Sequence, residues 1–153
     1  MPNAIFVWAS VERLPPELTG ATELHVIMPW GSLLRAVLGG DPAVLAGLAR
    51  ACEPGARFLV AVNLHAWRPP VPEVGDLPEP TPEWAHELLV GAYAKAGWRL
   101  ETAEYLDGKQ IEALHSSWAK RLRASRGGRL GVLGLTGSIV PTGDGVHCDR
   151  AAS

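Results

Sequence analysis

The chain has 153 residues, 47% of them hydrophobic and 20% charged, with a formal net charge of −2, which is enough for one globular domain with a sizeable core. The charge balance argues against a uniformly basic protein, although a sum hides local patches. No apolar run reaches the roughly 18 residues that a membrane-spanning helix needs, and the opening Met-Pro-Asn-Ala-Ile-Phe-Val-Trp lacks the basic start of a signal peptide.

The continuous apolar run Ala4–Trp8 predicts a strand buried on both faces. Ala9, Ser10 and Glu12 follow it, and Pro15–Pro16 ends the segment. Leu24–Met28 predicts a second strand, broken at Pro29, which lacks an N–H and fixes φ. A helix over Leu33–Leu38 follows, with Ser32 as its cap and Gly39–Gly40 as its stop. Asp41 and Pro42 then fit the N-cap and first position of another helix, reaching about Ala51 and burying Val44, Leu45 and Leu48.

Glu53-Pro54-Gly55 predicts a turn and Arg57–Leu64 a third strand. Residues His65–Pro82 form a long proline-rich connection, expected to be extended and stiff. Thr81 and Pro82 open a helix that passes Trp84, Leu88, Leu89 and Tyr93 and ends at Gly97. Trp98–Leu106 predicts a fourth strand, Lys109–Leu114 a short helix and Arg129–Val140 a last strand interrupted by Gly131 and Gly134. The tail from Pro141 reads as frayed, so the domain spans residues 1–140 and the tail 141–153. Strand–helix alternation points to an α/β fold with a parallel sheet, in which the last two strands can form an antiparallel pair.

Trp30 therefore falls at the carboxyl end of a parallel strand, the edge where open α/β sheets bind ligands. A tryptophan there is either a core anchor or an exposed stacking platform. A second aromatic, Trp118, adjoins Lys120, Arg121, Arg123, Arg126 and Arg129, and no acidic residue lies between Ala113 and Gly143. Such a run is commonly a solvated helix face, but with an aromatic beside it the pattern fits RNA, whose phosphates take the cations and whose bases stack on rings. If both tryptophans face one cleft, they can sandwich a base flipped out of its helix. Cys52 and Cys148 are far apart and lack metal spacing, as do the five histidines, so free thiols in a reducing compartment and no metal are expected. Neither a serine nucleophile arrangement nor a glycine-rich phosphate loop is recognisable.

Met-Pro-Trp-Gly-Ser-Leu-Leu-Arg (Met28–Arg35) and Ser-Ser-Trp-Ala-Lys-Arg-Leu (Ser116–Leu122) resemble motifs of the aminoglycoside-resistance 16S rRNA methyltransferases that modify N(1) of adenine-1408, the kanamycin–apramycin type. Asn-Ala-Ile-Phe-Val-Trp-Ala at Asn3–Ala9, with Glu12 and Leu14-Pro15, is similar to that family too, and the likeness runs to about Arg126. The resemblance implies a class I, Rossmann-like methyltransferase sheet with S-adenosylmethionine as cosubstrate. It implies that Trp30 and Trp118 stack on a flipped adenine and that Ser32 and Ser116 lie near the methyl-transfer point. Ala9, Ser10, Glu12 and Met28 would line the cosubstrate, while Lys120, Arg121, Arg123 and Arg126 would contact rRNA. Residues 65–82 and 115–129 would shape the RNA-binding face.

The partner implied is 16S rRNA within the 30S subunit, in the cytoplasm, with no membrane and with the complete protein a monomer. An adenine ring nitrogen attacks a sulfonium methyl without a strong base, so positioning is the main requirement. Against the family pattern, the chain starts at what would be the third strand, so the first two strands and much of the cosubstrate pocket are expected to be missing. Weak or no cosubstrate binding follows. The alternatives are a non-catalytic rRNA-binding remnant and a small-molecule methyltransferase.

Overall fold

The computed structural model of the chain describes residues 5–69, 73–114, 116–117 and 131–140. Among these residues four strands form one sheet: β1 (Ala21–Ile27), β2 (Cys52–Asn63), β3 (Trp98–Tyr105) and β4 (Val132–Ile139), in the spatial order β1-β2-β4-β3. β1 and β2 are parallel, and β4 runs antiparallel to both its neighbours. The α/β class and the antiparallel final pair are as expected from the sequence, with the last strand inserted between the second and third.

The helices are α1 (Gly31–Gly39), α2 (Pro42–Arg50), α3 (Pro82–Lys95) and α4 (Gly108–Ala113). Their ends follow local chemistry. Asp41 accepts from the backbone of Ala43 and Val44, Thr81 from that of Trp84, and each precedes a proline in the first turn. Asp107 and Gln110 make a reciprocal capping box. Gly40 closes α1 in the left-handed conformation at φ 65°.

The core lies on the face of the sheet carrying Leu24, Val26, Phe58, Val60 and Val62, where register sets Leu24 beside Phe58 and Val26 beside Val60. Phe58, Tyr93 and Trp98 form an aromatic cluster, with ring centroids 4.7 Å apart for Phe58–Trp98 and 5.6 Å for Tyr93–Trp98. Their polar handles are satisfied across elements. Trp98 Nε1 donates to the Leu45 carbonyl at 2.8 Å, and the Tyr93 hydroxyl to that of Val37 at 2.9 Å. Thus one bond ties β3 to α2 and the other ties α3 to α1. At Gly137 of β4, a Cβ would collide with the Arg99 carbonyl and come within 2.8 Å of the Phe58 ring, so this close approach of backbone and ring requires glycine.

Several expectations are corrected. Residues 5–8 form no strand: Ile5, Phe6 and Trp8 are almost fully exposed. An apolar run reports side-chain preference, but a strand also needs a partner for its backbone, and among the described residues none is hydrogen-bonded to this segment. Glu53-Pro54-Gly55 is not a turn between elements but an extrusion within β2, since Ala21 pairs with Cys52 while Glu23 pairs with Arg57. The connection after β2 is not extended throughout, because Leu64–Trp67 makes a 3-10 turn capped by Asn63. Gly134 does not interrupt β4, which is continuous through it. The expected tail, residues 141–153, lies outside the described residues.

Candidate methyltransferase site

β1 and β2 end side by side, and the ladder runs one residue past β1, with Met28 N donating to the Ala61 carbonyl at 2.8 Å. The chain then turns sharply. Met28 holds φ 49°, the one non-glycine residue in the left-handed region among those described, and Gly31 holds φ 56°. A left-handed non-glycine residue costs on the order of 1–3 kcal/mol and persists only where the surroundings enforce it, commonly at functional sites. Between the two, Pro29 is buried and Trp30 is extended, with 52% of its surface exposed. Pro29 anchors the turn and Trp30 projects from it. The platform reading of Trp30 therefore has geometric support that the core-anchor reading lacks.

Trp30 is the residue that precedes α1, and no side chain caps the helix. Ser32 is not the cap that the sequence predicts, because the helix starts at Gly31 and places Ser32 inside the first turn. Its hydroxyl instead donates to Glu12 Oε1 at 3.3 Å, and Ser10 also bonds the Glu12 carboxylate. Three expected site residues thus meet: Ser10 and Glu12, from around the 3-10 turn Val11–Arg13, and Ser32 from α1. The Ser10 hydroxyl, then Glu12's own backbone N–H, hold this exposed carboxyl below its ordinary value against desolvation, with Ser32 the weakest contributor. Glu12 is consequently an ionised acceptor beside the amino end of a helix, where the dipole favours negative charge.

Ala9 is exposed next to Ser10, and Met28 is half-buried. Ser116 is half-buried beyond α4. Trp118, Lys120, Arg121, Arg123 and Arg126 lie outside the described residues. Asn63, a polar residue at the same edge, is occupied locally because its Oδ1 accepts from His65 N at 3.0 Å.

The connection after β2 borders the turn. Glu73 N donates to the Ala66 carbonyl at 2.8 Å, Val74 is fully buried, and Trp67 Nε1 donates to the Leu77 carbonyl at 2.9 Å. Arg35 of α1 grips the same stretch through both oxygens of Asp76, at 2.8 and 2.9 Å. A Cβ on Gly31 would stand 4.0 Å from the Glu73 carboxylate, so this segment reaches the residue next to Trp30. Sequence reasoning missed the Arg35–Asp76 pair, which joins residues 41 apart, and the left-handed Met28; only the Pro-Trp-Gly sequence hinted at an unusual turn. A hollow of about 290 Å³ lined by Ala46, Cys52, Pro54 and Ile139 lies at the opposite end of the sheet. No single helix among the described residues is long and apolar enough to cross a membrane.

The family described as NpmA, 16S rRNA (adenine(1408)-N(1))-methyltransferase, matches residues 1–136. A 16S rRNA (adenine(1408)-N(1))-methyltransferase of Streptoalloteichus hindustanus is 58% identical over 141 residues, covering 92% of this chain and 65% of the relative. The crystal structure of the 16S rRNA methyltransferase KamB superposes with a TM-score of 0.81 at 57% identity, over 92% of this chain and 65% of that one. A single-substitution variant of the 16S rRNA (adenine(1408)-N(1))-methyltransferase from Catenulisporales acidiphilia, solved with cosubstrate SAM, gives 0.75 at 36% identity, over 90% of this chain and 62% of that one. The chain spans about two thirds of the length of these relatives. Family match, sequence identity and structural superposition agree, and the chain belongs to the 16S rRNA (adenine(1408)-N(1))-methyltransferase family.

Proposed function

We propose that this chain acts in transferring a methyl group from S-adenosylmethionine to N(1) of adenine-1408 of 16S rRNA, in the 30S subunit in the cytoplasm, and so confers aminoglycoside resistance. The observation that carries the reading is the meeting of Glu12 and Ser32 beside the half-exposed Trp30, at the carboxyl ends of two parallel strands. Ser10 and Glu12 offer the hydroxyl and carboxylate that a polar, cationic cosubstrate requires. The sulfonium centre supplies an electrophilic methyl, and the adenine lone pair needs only to be aligned with it. Trp30 supplies one stacking face for the flipped base and Trp118 the other. Ser32 and Ser116 fix polar atoms near the transfer point, and Lys120, Arg121, Arg123 and Arg126 neutralise rRNA phosphates.

The test incubates the full chain with 30S subunits and methyl-labelled S-adenosylmethionine and maps the product by primer extension. N(1)-methylation blocks the Watson–Crick edge, so extension should stop at adenine-1408. A label placed elsewhere, or absent, refutes the reading.

A second reading, rRNA binding without methyl transfer, is favoured by the exposure of Ile5, Phe6 and Trp8. Among the described residues, little then packs on the segment leading into Ala9 and Ser10 to hold it against a cosubstrate. Retention of 30S subunits on a filter without label supports this reading. Methyl transfer to a small acceptor but not to 30S subunits, unaffected by charge reversal at both Arg121 and Arg126, would instead indicate a small-molecule substrate.

A further inference from the structure

We infer that Arg35 is a positioning residue that sets the segment 73–79 against the Trp30 turn, an inference that rests on the proposed rRNA-methylating role. Arg35 lies one helical turn into α1, on the helix whose first residues are Gly31 and Ser32. Its two terminal nitrogens pair with the two Asp76 oxygens at 2.9 and 2.8 Å, and Nη2 also reaches the Glu73 carbonyl at 3.3 Å. A planar guanidinium in this arrangement fixes direction as well as distance, which an ammonium cannot do. Both side chains are substantially exposed. Exposed pairs contribute little to global stability, so the consequence of this one is placement.

Placement matters because of what the segment carries. It is also held by the Glu73–Ala66 and Trp67–Leu77 bonds, which fasten it to the 3-10 turn that follows β2, and Val74 within it is fully buried. Arg35 supplies the fastening to α1, and the stem of Arg35 lines a hollow of about 150 Å³ with Leu38, Leu77, Pro78 and Trp84. With both fastenings made, the Glu73 carboxylate lies 4.0 Å from where a Cβ on Gly31 would stand, at the residue that follows the exposed Trp30. An rRNA nucleotide stacked on Trp30 would meet a wall whose location is set from α1. Without Arg35 the wall stays attached to the 3-10 turn but is no longer registered to the Trp30 turn.

The experiment compares the full chain with Arg35→Ala, Arg35→Lys, Asp76→Asn and the charge-swapped double variant Arg35→Asp with Asp76→Arg. Amide hydrogen exchange is followed at 73–79 and in α2, and 30S binding is measured by filter retention. The single changes should speed exchange at 73–79 at least fivefold, leave α2 unaltered and weaken 30S binding severalfold. The lysine variant should recover little, and the double variant should recover a large part of both effects. Unchanged exchange at 73–79 in the alanine and asparagine variants overturns the inference, as does faster exchange with undiminished 30S affinity. If the unaltered chain does not bind 30S subunits, the functional reading fails, while the exchange comparison still decides whether Arg35 holds the segment.

Discussion

Glu12 and Ser32 are twenty residues apart in sequence, yet the Ser32 hydroxyl lies 3.3 Å from a Glu12 carboxylate oxygen. The contact joins the segment before β1 to the helix after it. Glu12 is held below its ordinary value, chiefly by Ser10, so it is charged above pH about 4.5 and its hydrogen bonds are lost only as the pH falls through the lower folded value. Cosubstrate binding, measured by calorimetry, should therefore be insensitive to Glu12 titration from pH 5 to 8. Glu12→Gln should weaken binding across that range, because an ionised acceptor is replaced by a neutral one. Binding by the unaltered protein that declines steadily between pH 7 and 5 would count against this assignment.

Trp30 and Trp98 should respond to alanine substitution in opposite ways. Trp30→Ala removes a half-exposed ring and should leave the melting temperature nearly unchanged while costing roughly 1–3 kcal/mol of base stacking in 30S binding. Trp98→Ala opens the centre of the aromatic cluster and strands the Leu45 carbonyl, costing about 3–5 kcal/mol of stability. Chemical denaturation alongside filter binding separates the two. Equal destabilisation by both changes would place Trp30 in the core instead.

Gly40→Ala should be among the more damaging one-carbon changes. Gly40 holds φ 65°, and a Cβ there would stand 2.5 Å from that of Ala92 on α3. Left-handed strain costs roughly 1–2 kcal/mol and the overlap about 1–3 kcal/mol more. Gly39→Ala, one residue earlier and with open space around it, is the control and should be nearly neutral in the same thermal melt.

Tyr93 should confer an alkaline limit. Its hydroxyl is buried and donates to Val37, and burial raises its ionisation well above the ordinary value of about 10. The unfolded chain loses that proton first, so this contribution is intact below pH 10 and diminishes as pH rises above it. Tyr93→Phe should lower stability at pH 7 by about 1 kcal/mol and flatten the decline in stability above pH 10. A parallel decline in both proteins would assign the alkaline limit to another group.

The helices were legible because their signals are local. Asp41-Pro42 and Thr81-Pro82 each specify a start within three residues, and Gly40 specifies a stop. Strands β2 and β3 were legible as apolar or alternating runs. Residues 5–8 have the same signature and form no strand, because pairing depends on a neighbour that side-chain pattern does not report. Glu53-Pro54-Gly55 was misread for the converse reason: strong turn residues are absorbed by a partner strand that continues on either side. At the site, Trp30 and Glu12 were visible as residue types in family-like motifs. Arg35 was not singled out because its partner, Asp76, is distant in sequence and one charged pair among many carries no periodic signal.

The position of β4 has a consequence for how the protein is made. The last strand among the described residues occupies an interior place in the sheet, between β2 and β3. A nascent chain that has emerged through Tyr105 already contains β1, β2 and all three long helices, yet β3 has no strand to join until residues 132–139 follow. Closure of the sheet must wait for those residues, and non-local pairing of this kind is slow. Until then β2 and β3 present facing, unpaired backbones, a gap that chaperones or a neighbouring nascent chain could occupy before β4 arrives.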